Sequence, residues 1–168
     1  SLSFSFLIVA FISPILSAIA DYTGNKLKFM KFFCWLGGFS VINMYFFEDV
    51  STTWIGILCT ILASIGFWSS IVFYNSYLPE VASPEQQDAA SAKGFIYGYI
   101  GSIILLLISL GMILQPSFFG FDLSIPENIT ANGSDEEIAA ALETVKNAAS
   151  LKAMRISFVM VGLWWIGF

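Results

Sequence analysis

Histidine is absent from this chain of 168 residues, and charged side chains make up only 11% of it. The first absence removes the commonest general base, proton shuttle and metal ligand. The second removes the polar coat of a water-soluble globule, since soluble domains are usually about 25% charged. Positive charge is scarcer than negative, seven Lys and Arg against twelve Asp and Glu, for a net charge of −5. So few cations leave no basic face for a nucleic-acid partner. Cysteine occurs only at Cys34 and Cys59, both inside apolar runs. They read as small core residues, not as a disulfide framework or a metal site. There is no G-x-S-x-G, no phosphate loop and no pair of carboxylates inside an apolar run, and no serine has a visible base partner. These absences argue against an enzyme, and neither a cofactor nor a metal is expected.

What the chain has is long apolar runs. It is 57% hydrophobic with a mean hydropathy of +0.80. The hydrocarbon core of a bilayer is about 30 Å thick and takes about 20 apolar residues of helix. Five runs reach or approach that length: 2–20, 29–47, 54–78, 94–114 and 151–168. They are too long for strands and do not alternate apolar with polar residues. The expected fold is therefore an all-α polytopic membrane protein with five transmembrane helices. The first run has no basic segment before it, so no cleavable signal peptide is expected. The chain opens at Ser1 without an initiator methionine and stops inside the fifth run. It is expected to be a piece of a longer protein.

The connecting segments alternate in charge. Residues 21–28 are short and basic, 48–53 short and acidic, 79–93 polar, and 115–150 long and mostly acidic. The excess of lysine and arginine on cytoplasmic loops places the first and third inside and the other two outside. Lys31 and Lys93 agree with this orientation; Lys146, Lys152 and Arg155 count against it. Within the long outer loop, Ser134 and Glu137 have the spacing of a capping box. Ile138, Ala141, Leu142 and Val145 follow at helical spacing, which predicts an amphipathic helix over about 135–150. That helix reads either as packing on the outer mouth or as a lid. Asn128-Ile129-Thr130 and Asn132-Gly133-Ser134 match the glycosylation triplet, which matters only in a eukaryotic host.

Strong polar groups are few inside the runs. Asn43 lies in the second; Tyr74 and Asn75 lie near the end of the third. A polar side chain in hydrocarbon is costly unless it meets protein or water. Asn43, Tyr74 and Asn75 are therefore candidates to line a cavity, and the two asparagines are expected to face the bundle interior. The competing reading is a simple interhelical hydrogen bond. Gly94, Gly98 and Gly101 put small residues on or near one face of the fourth run, as Gly37 and Gly38 do in the second. Such residues either let helices approach closely or mark a flexing point of a gate. Asp21 sits at the edge of the first run, followed by Gly24, Lys26 and Lys28. It reads either as a helix-terminal charge or as a lock that pairs with a neighbouring helix in one conformation and releases it in another.

Ser17-Ala18-Ile19-Ala20-Asp21-Tyr22-Thr23-Gly24-Asn25-Lys26 resembles the loop between the second and third helices of the major facilitator superfamily of secondary transporters, usually written G-x-L-A-D-R-x-G-R-K. The aspartate, the second glycine and one basic residue are present. Ser17 replaces the first glycine, and Tyr22 and Asn25 replace two basic residues. Val72-Phe73-Tyr74-Asn75-Ser76-Tyr77-Leu78-Pro79-Glu80, followed by Gly94-Phe95-Ile96-Tyr97-Gly98-Tyr99-Ile100-Gly101, resembles the branch of vacuole amino-acid effluxer proteins of fungi and their bacterial relatives. In that branch Y-N-x-x-L-P-E ends the fourth helix and G-x-x-x-G-Y-x-G opens the fifth. The resemblance implies that these 168 residues hold helices two to six of a twelve-helix transporter, most of one six-helix half.

On that basis the expected function is secondary active transport of a small solute by alternating access, with amino-acid export as the suggested class. The resemblance implies a cytoplasmic gate loop of Asp21, Gly24 and Lys26, supported by Glu80 at the inner end of the fourth helix. The implied partners are a small-molecule substrate, the lipid bilayer and the remaining helices of the same transporter. The implied location is the cytoplasmic membrane of a bacterium. The alternative from another class is a membrane scaffold or assembly subunit without transport activity.

Overall fold

The structure is a computed structural model describing residues 2–126 and 133–167. The asparagines of both glycosylation-type triplets, Asn128 and Asn132, lie outside the described residues. Among the described residues there are five α-helices and no strand: α1 Leu2–Thr23, α2 Lys26–Asn43, α3 Thr53–Val81, α4 Pro84–Leu114 and α5 Asp135–Gly167. Four stretches are long and apolar enough to cross a membrane: Lys26–Phe46, Val50–Val81, Pro84–Leu114 and Asp135–Gly167. The apolar stretch of α1, Ser3–Ile19, is shorter and sits near the lower limit of about 17 residues for a spanning helix. The chain is an all-α polytopic membrane protein, as its apolar runs imply.

Local chemistry sets where the helices stop. Gly24 adopts φ +64° between α1 and α2, a left-handed conformation that side chains disfavour and that ends helices. Asp49 closes the short link between α2 and α3 by accepting from the Ser51 and Thr52 backbone N–H groups at 2.9 and 3.2 Å, while Thr52 Oγ1 accepts from the Asp49 N–H at 3.0 Å. The Ser51 hydroxyl, with these backbone donors, holds the Asp49 carboxyl below the usual carboxylate range.

The polar segment 79–93 differs from its reading as a loop. α3 runs through Pro79 to Val81, and α4 begins already at Pro84. Only Ala82 and Ser83 separate them. Proline suits the first helical position, where no N–H is needed, and the Ser83 carbonyl accepts from the Gln86 and Gln87 N–H groups at 2.8 and 3.1 Å. The polarity of residues 85–93 marks a helix that projects beyond hydrocarbon; it does not mark irregular chain.

The chain divides into two compact units, residues 1–101 with 158–168 and residues 102–157. Both α4 and α5 contribute to each. In the first unit α2 and α3 run antiparallel. Their shared core is Phe33 stacked on Phe73 at 5.6 Å, with Phe29 on the same Phe73 ring at 5.5 Å. Leu16, Met30, Leu36 and Ile65 surround it. α1 lies against α3, where Phe6 meets Trp68 at 5.2 Å.

Glycines set the closest approaches in this unit. A Cβ on Gly66 of α3 would lie 2.6 Å from the Gly37 nitrogen, 2.7 Å from its Cα and 2.8 Å from the Phe33 carbonyl oxygen. A Cβ on Gly162 of α5 would lie 2.6 Å from the Gly38 carbonyl oxygen. The adjacent glycines Gly37 and Gly38 thus let α2 touch two other helices, one on each side, backbone to backbone. Without a hydrophobic force between helices in lipid, such close van der Waals packing is what holds a bundle together. Gly37 lies eleven residues beyond Lys26, about 16 Å along the helix. This is roughly half of a 30 Å hydrocarbon core.

In the second unit, the Ser150 hydroxyl of α5 donates to the Ile113 carbonyl of α4 at 3.2 Å. Met112, Pro116, Ala149 and Ala153 are its buried residues. The expected capping box is present: Glu137 Oε2 accepts from the Ser134 N–H at 2.9 Å, and Ser134 Oγ accepts from the Glu137 N–H at 3.3 Å. The helix it opens runs unbroken from Asp135 to Gly167.

Candidate functional site

The strongest electrostatic feature is built on Lys26, the first residue of α2. The turn at Gly24 brings α2 back beside α1, so Lys26 reaches Asp21 at the end of α1. The Lys26 Nζ–Asp21 Oδ1 distance is 2.8 Å. The antiparallel register of α2 and α3 places the other end of α3 at the same level, and Lys26 Nζ also lies 3.0 Å from Glu80 Oε1. The same ammonium donates to the Ser76 carbonyl at 3.3 Å. Three donors on one ammonium are thus directed at three acceptors, from two helices. Pro79 is part of the reason that this end of α3 welcomes a cation. It lacks the N–H that would bond to the Asn75 carbonyl, and the last carbonyls of a helix attract positive charge.

The three ionised groups are not equally sheltered. The Lys26 side chain is 17% exposed, whereas Asp21 is 60% and Glu80 47% exposed. One partly sheltered cation therefore holds two carboxylates that still face outward. The cluster carries a net charge of −1, and its spare negative charge is available to a further cation or to a helix N-terminus. Gly24 has no heavy atom within 4 Å of where its Cβ would be. Its part in this loop is the left-handed turn, not close packing.

The remaining sequence candidates are scattered. Asn43 is exposed at the end of α2, and its Nδ2 donates to the Phe39 carbonyl at 2.8 Å. Asn75 is also exposed. One amide N–H of Asn43 is thus paired within its own helix. Tyr74 is half-buried and stands over Gly94, where a Cβ would come 3.3 Å from its hydroxyl. Gly101 lets α4 meet the Trp164 ring of α5, while Gly98 has open space around it. The three α4 glycines therefore do different things, although they share a spacing. Gly98→Ala is expected to leave thermal stability unchanged or raise it by up to about 1 kcal/mol, because alanine is the better helix former. A melting curve of the full-length protein checks this.

Three contributors escape a reading of the sequence. The Ser76 carbonyl is a backbone group and has no side-chain signal. Gly66 and Gly162 are single glycines in apolar runs, and no motif marks them. Among the described residues no group of three or more His, Cys, Asp or Glu could hold a metal ion.

Apolar helices crossing at glycines, with an ion-pair cluster at one end of the spans, define a multi-pass membrane protein. Residues 1–126 match the family described as vacuole effluxer Atg22 like, and the chain belongs to this family. Over 166 residues it is 32% identical to a protein of Bacillus subtilis (strain 168) named uncharacterized MFS-type transporter YxiO. That alignment covers 98% of this chain and 32% of the relative, so the chain spans about a third of the relative's length. No solved structure matches it significantly.

Proposed function

We propose that this chain is part of a secondary transporter that moves a small solute across a membrane by alternating access. In this reading its five helices are helices two to six of the whole protein, in most of one six-helix half. Asp21, Gly24, Lys26 and Glu80 form a lock at the cytoplasmic face of a bacterial cell membrane. The observation that carries the reading is the three-acceptor seat of Lys26. It ties the α1–α2 loop to the end of α3 and leaves two carboxylates turned outward. A facing part of the protein that brought a cation or a helix N-terminus to them would close the cytoplasmic side; its withdrawal would open it. A lock of this kind needs no deep burial of charge and can reverse with a small change in free energy.

The solute would bind elsewhere, near the middle of the membrane between the two halves of the whole protein, as in transporters built from repeated bundles. Asn43 and Asn75, both exposed on their helices, are candidates to line that path. Amino acids are the proposed solute class and export the proposed direction; the family's description as vacuole effluxers supports the direction.

Asp21→Ala tests the lock. In the full-length protein reconstituted into proteoliposomes, amino-acid movement is expected to fall about 5- to 100-fold, the usual span of conformational coupling. The melting temperature should change little, because Asp21 is mostly exposed. An unchanged transport rate would remove Asp21 from the gate.

A further inference from the structure

Between the glycine crossing and the ionic cluster, four helices of the first unit line an open-sided cavity of about 360 Å³. Its walls include Met30 and Cys34 from α2, Ser70 and Tyr74 from α3, Gly94 from α4 and Trp165 from α5. Its size falls within the roughly 300–1,000 Å³ of small-molecule sites. Met30 and Cys34 precede Gly37 by seven and three residues. They lie about 4–10 Å from the crossing along the helix, within hydrocarbon.

The polar atoms of this wall are unequal. The Ser70 hydroxyl donates to the Phe67 carbonyl of its own helix at 2.7 Å. Tyr74 is different: among the described residues no hydrogen-bond partner reaches its hydroxyl. Its hydroxyl lies against Gly94, where the apolar part of α4 begins, so it is placed at the hydrocarbon edge to pair with the polar end of an amphiphile. Gly94 keeps the space in front of it open. No ionised side chain lines the cavity, so a charged ligand would lose its hydration without gaining a counter-charge. A zwitterionic amino acid is excluded on the same ground.

We infer that this cavity is a binding site for a small neutral amphiphile, an apolar body with one hydroxyl or carbonyl group that pairs with Tyr74. Such a ligand enters from the bilayer, where it partitions, and lies against Trp165 and Met30 with its polar end toward Gly94. The site is separate from the Asp21–Lys26–Glu80 cluster and does not depend on the transporter reading.

The test is photolabelling of the full-length protein in lipid nanodiscs with a diazirine analogue of octanol, mapped by peptide mass spectrometry. Adducts are expected to concentrate on Tyr74 and Met30. Unlabelled octanol should compete and octanoate, at a pH where it is ionised, should not. Gly94→Leu should abolish this labelling by filling the cavity. Tyr74→Phe, which keeps the ring and the fold, should weaken competition by octanol about fivefold, the equivalent of one net hydrogen bond. Labelling spread evenly over outward-facing residues such as Phe39 and Ile104 would overturn the site. So would equal competition by octanol in wild type and Tyr74→Phe.

Discussion

Lys26→Met in the full-length protein is expected to reduce solute transport more than loss of either carboxylate alone. The substitution keeps the length and apolar stem of the side chain, so packing at the start of α2 survives. It removes the one cation that Asp21 and Glu80 share, at 2.8 and 3.0 Å. It also frees the Ser76 carbonyl. Two carboxylates then face each other without a neutralising charge, and the α1–α2 loop loses its tie to α3. The expected drop in initial rate is about 5- to 100-fold, measured in proteoliposomes at equal amounts of folded protein. Lys26→Arg should restore part of the rate. Its planar donors can still pair with both carboxylates, but they fit the three-acceptor seat less well than a rotating ammonium. If both variants transported at the wild-type rate, the cluster would be structural only.

Gly66→Ala should have the largest effect on folding. The added methyl carbon would stand 2.6–2.8 Å from Gly37 and Phe33 backbone atoms. Backbone cannot rotate aside as a side chain can, so α2 and α3 would have to separate along the spans. Overpacking of this kind costs about 1–3 kcal/mol, and the lost contact between the helices adds to it. The melting temperature of the purified protein should fall, while Gly98→Ala on α4, with open space at the same added atom, should not lower it. Gly162→Ala should behave like Gly66→Ala, since it meets the Gly38 carbonyl at 2.6 Å. A Gly66→Ala protein that melts like wild type would mean that the helices do not cross at backbone contact.

Much of this architecture is legible in the residues, because apolar run length is a direct statement about a bilayer. Asp21, Gly24 and Lys26 are legible for a related reason: charges and a turn glycine between two spans have few places to go. Glu80 entered through the family resemblance alone, and the antiparallel return of α3 is what brings it to Lys26. Other features follow rules that a linear reading does not contain. The segment 84–93 is polar yet helical, because polarity reports depth in the membrane and the Ser83-Pro84 start reports the helix. Asn43 meets the Phe39 carbonyl of its own helix, a local partner that the cost of an unpaired amide does not specify. Gly66 and Gly162 are invisible because the need for glycine arises only when another backbone arrives. The spacing of Gly94, Gly98 and Gly101 suggests one shared task. The neighbours they meet, Tyr74, open space and Trp164, divide it.

The most direct test of the lock is the accessibility of its third acceptor. A cysteine placed at Ser76, in full-length protein carrying Cys34→Ala and Cys59→Ala, can be titrated with a membrane-impermeant thiol reagent in inside-out vesicles. If Lys26 holds the cytoplasmic side closed by seating on this turn of α3, adding Lys26→Met should speed labelling about five- to tenfold, a shift in the closed–open balance of roughly 1–1.4 kcal/mol. Equal labelling rates with and without Lys26 would contradict the account, and the ion pairs would then be only a brace at the end of three helices.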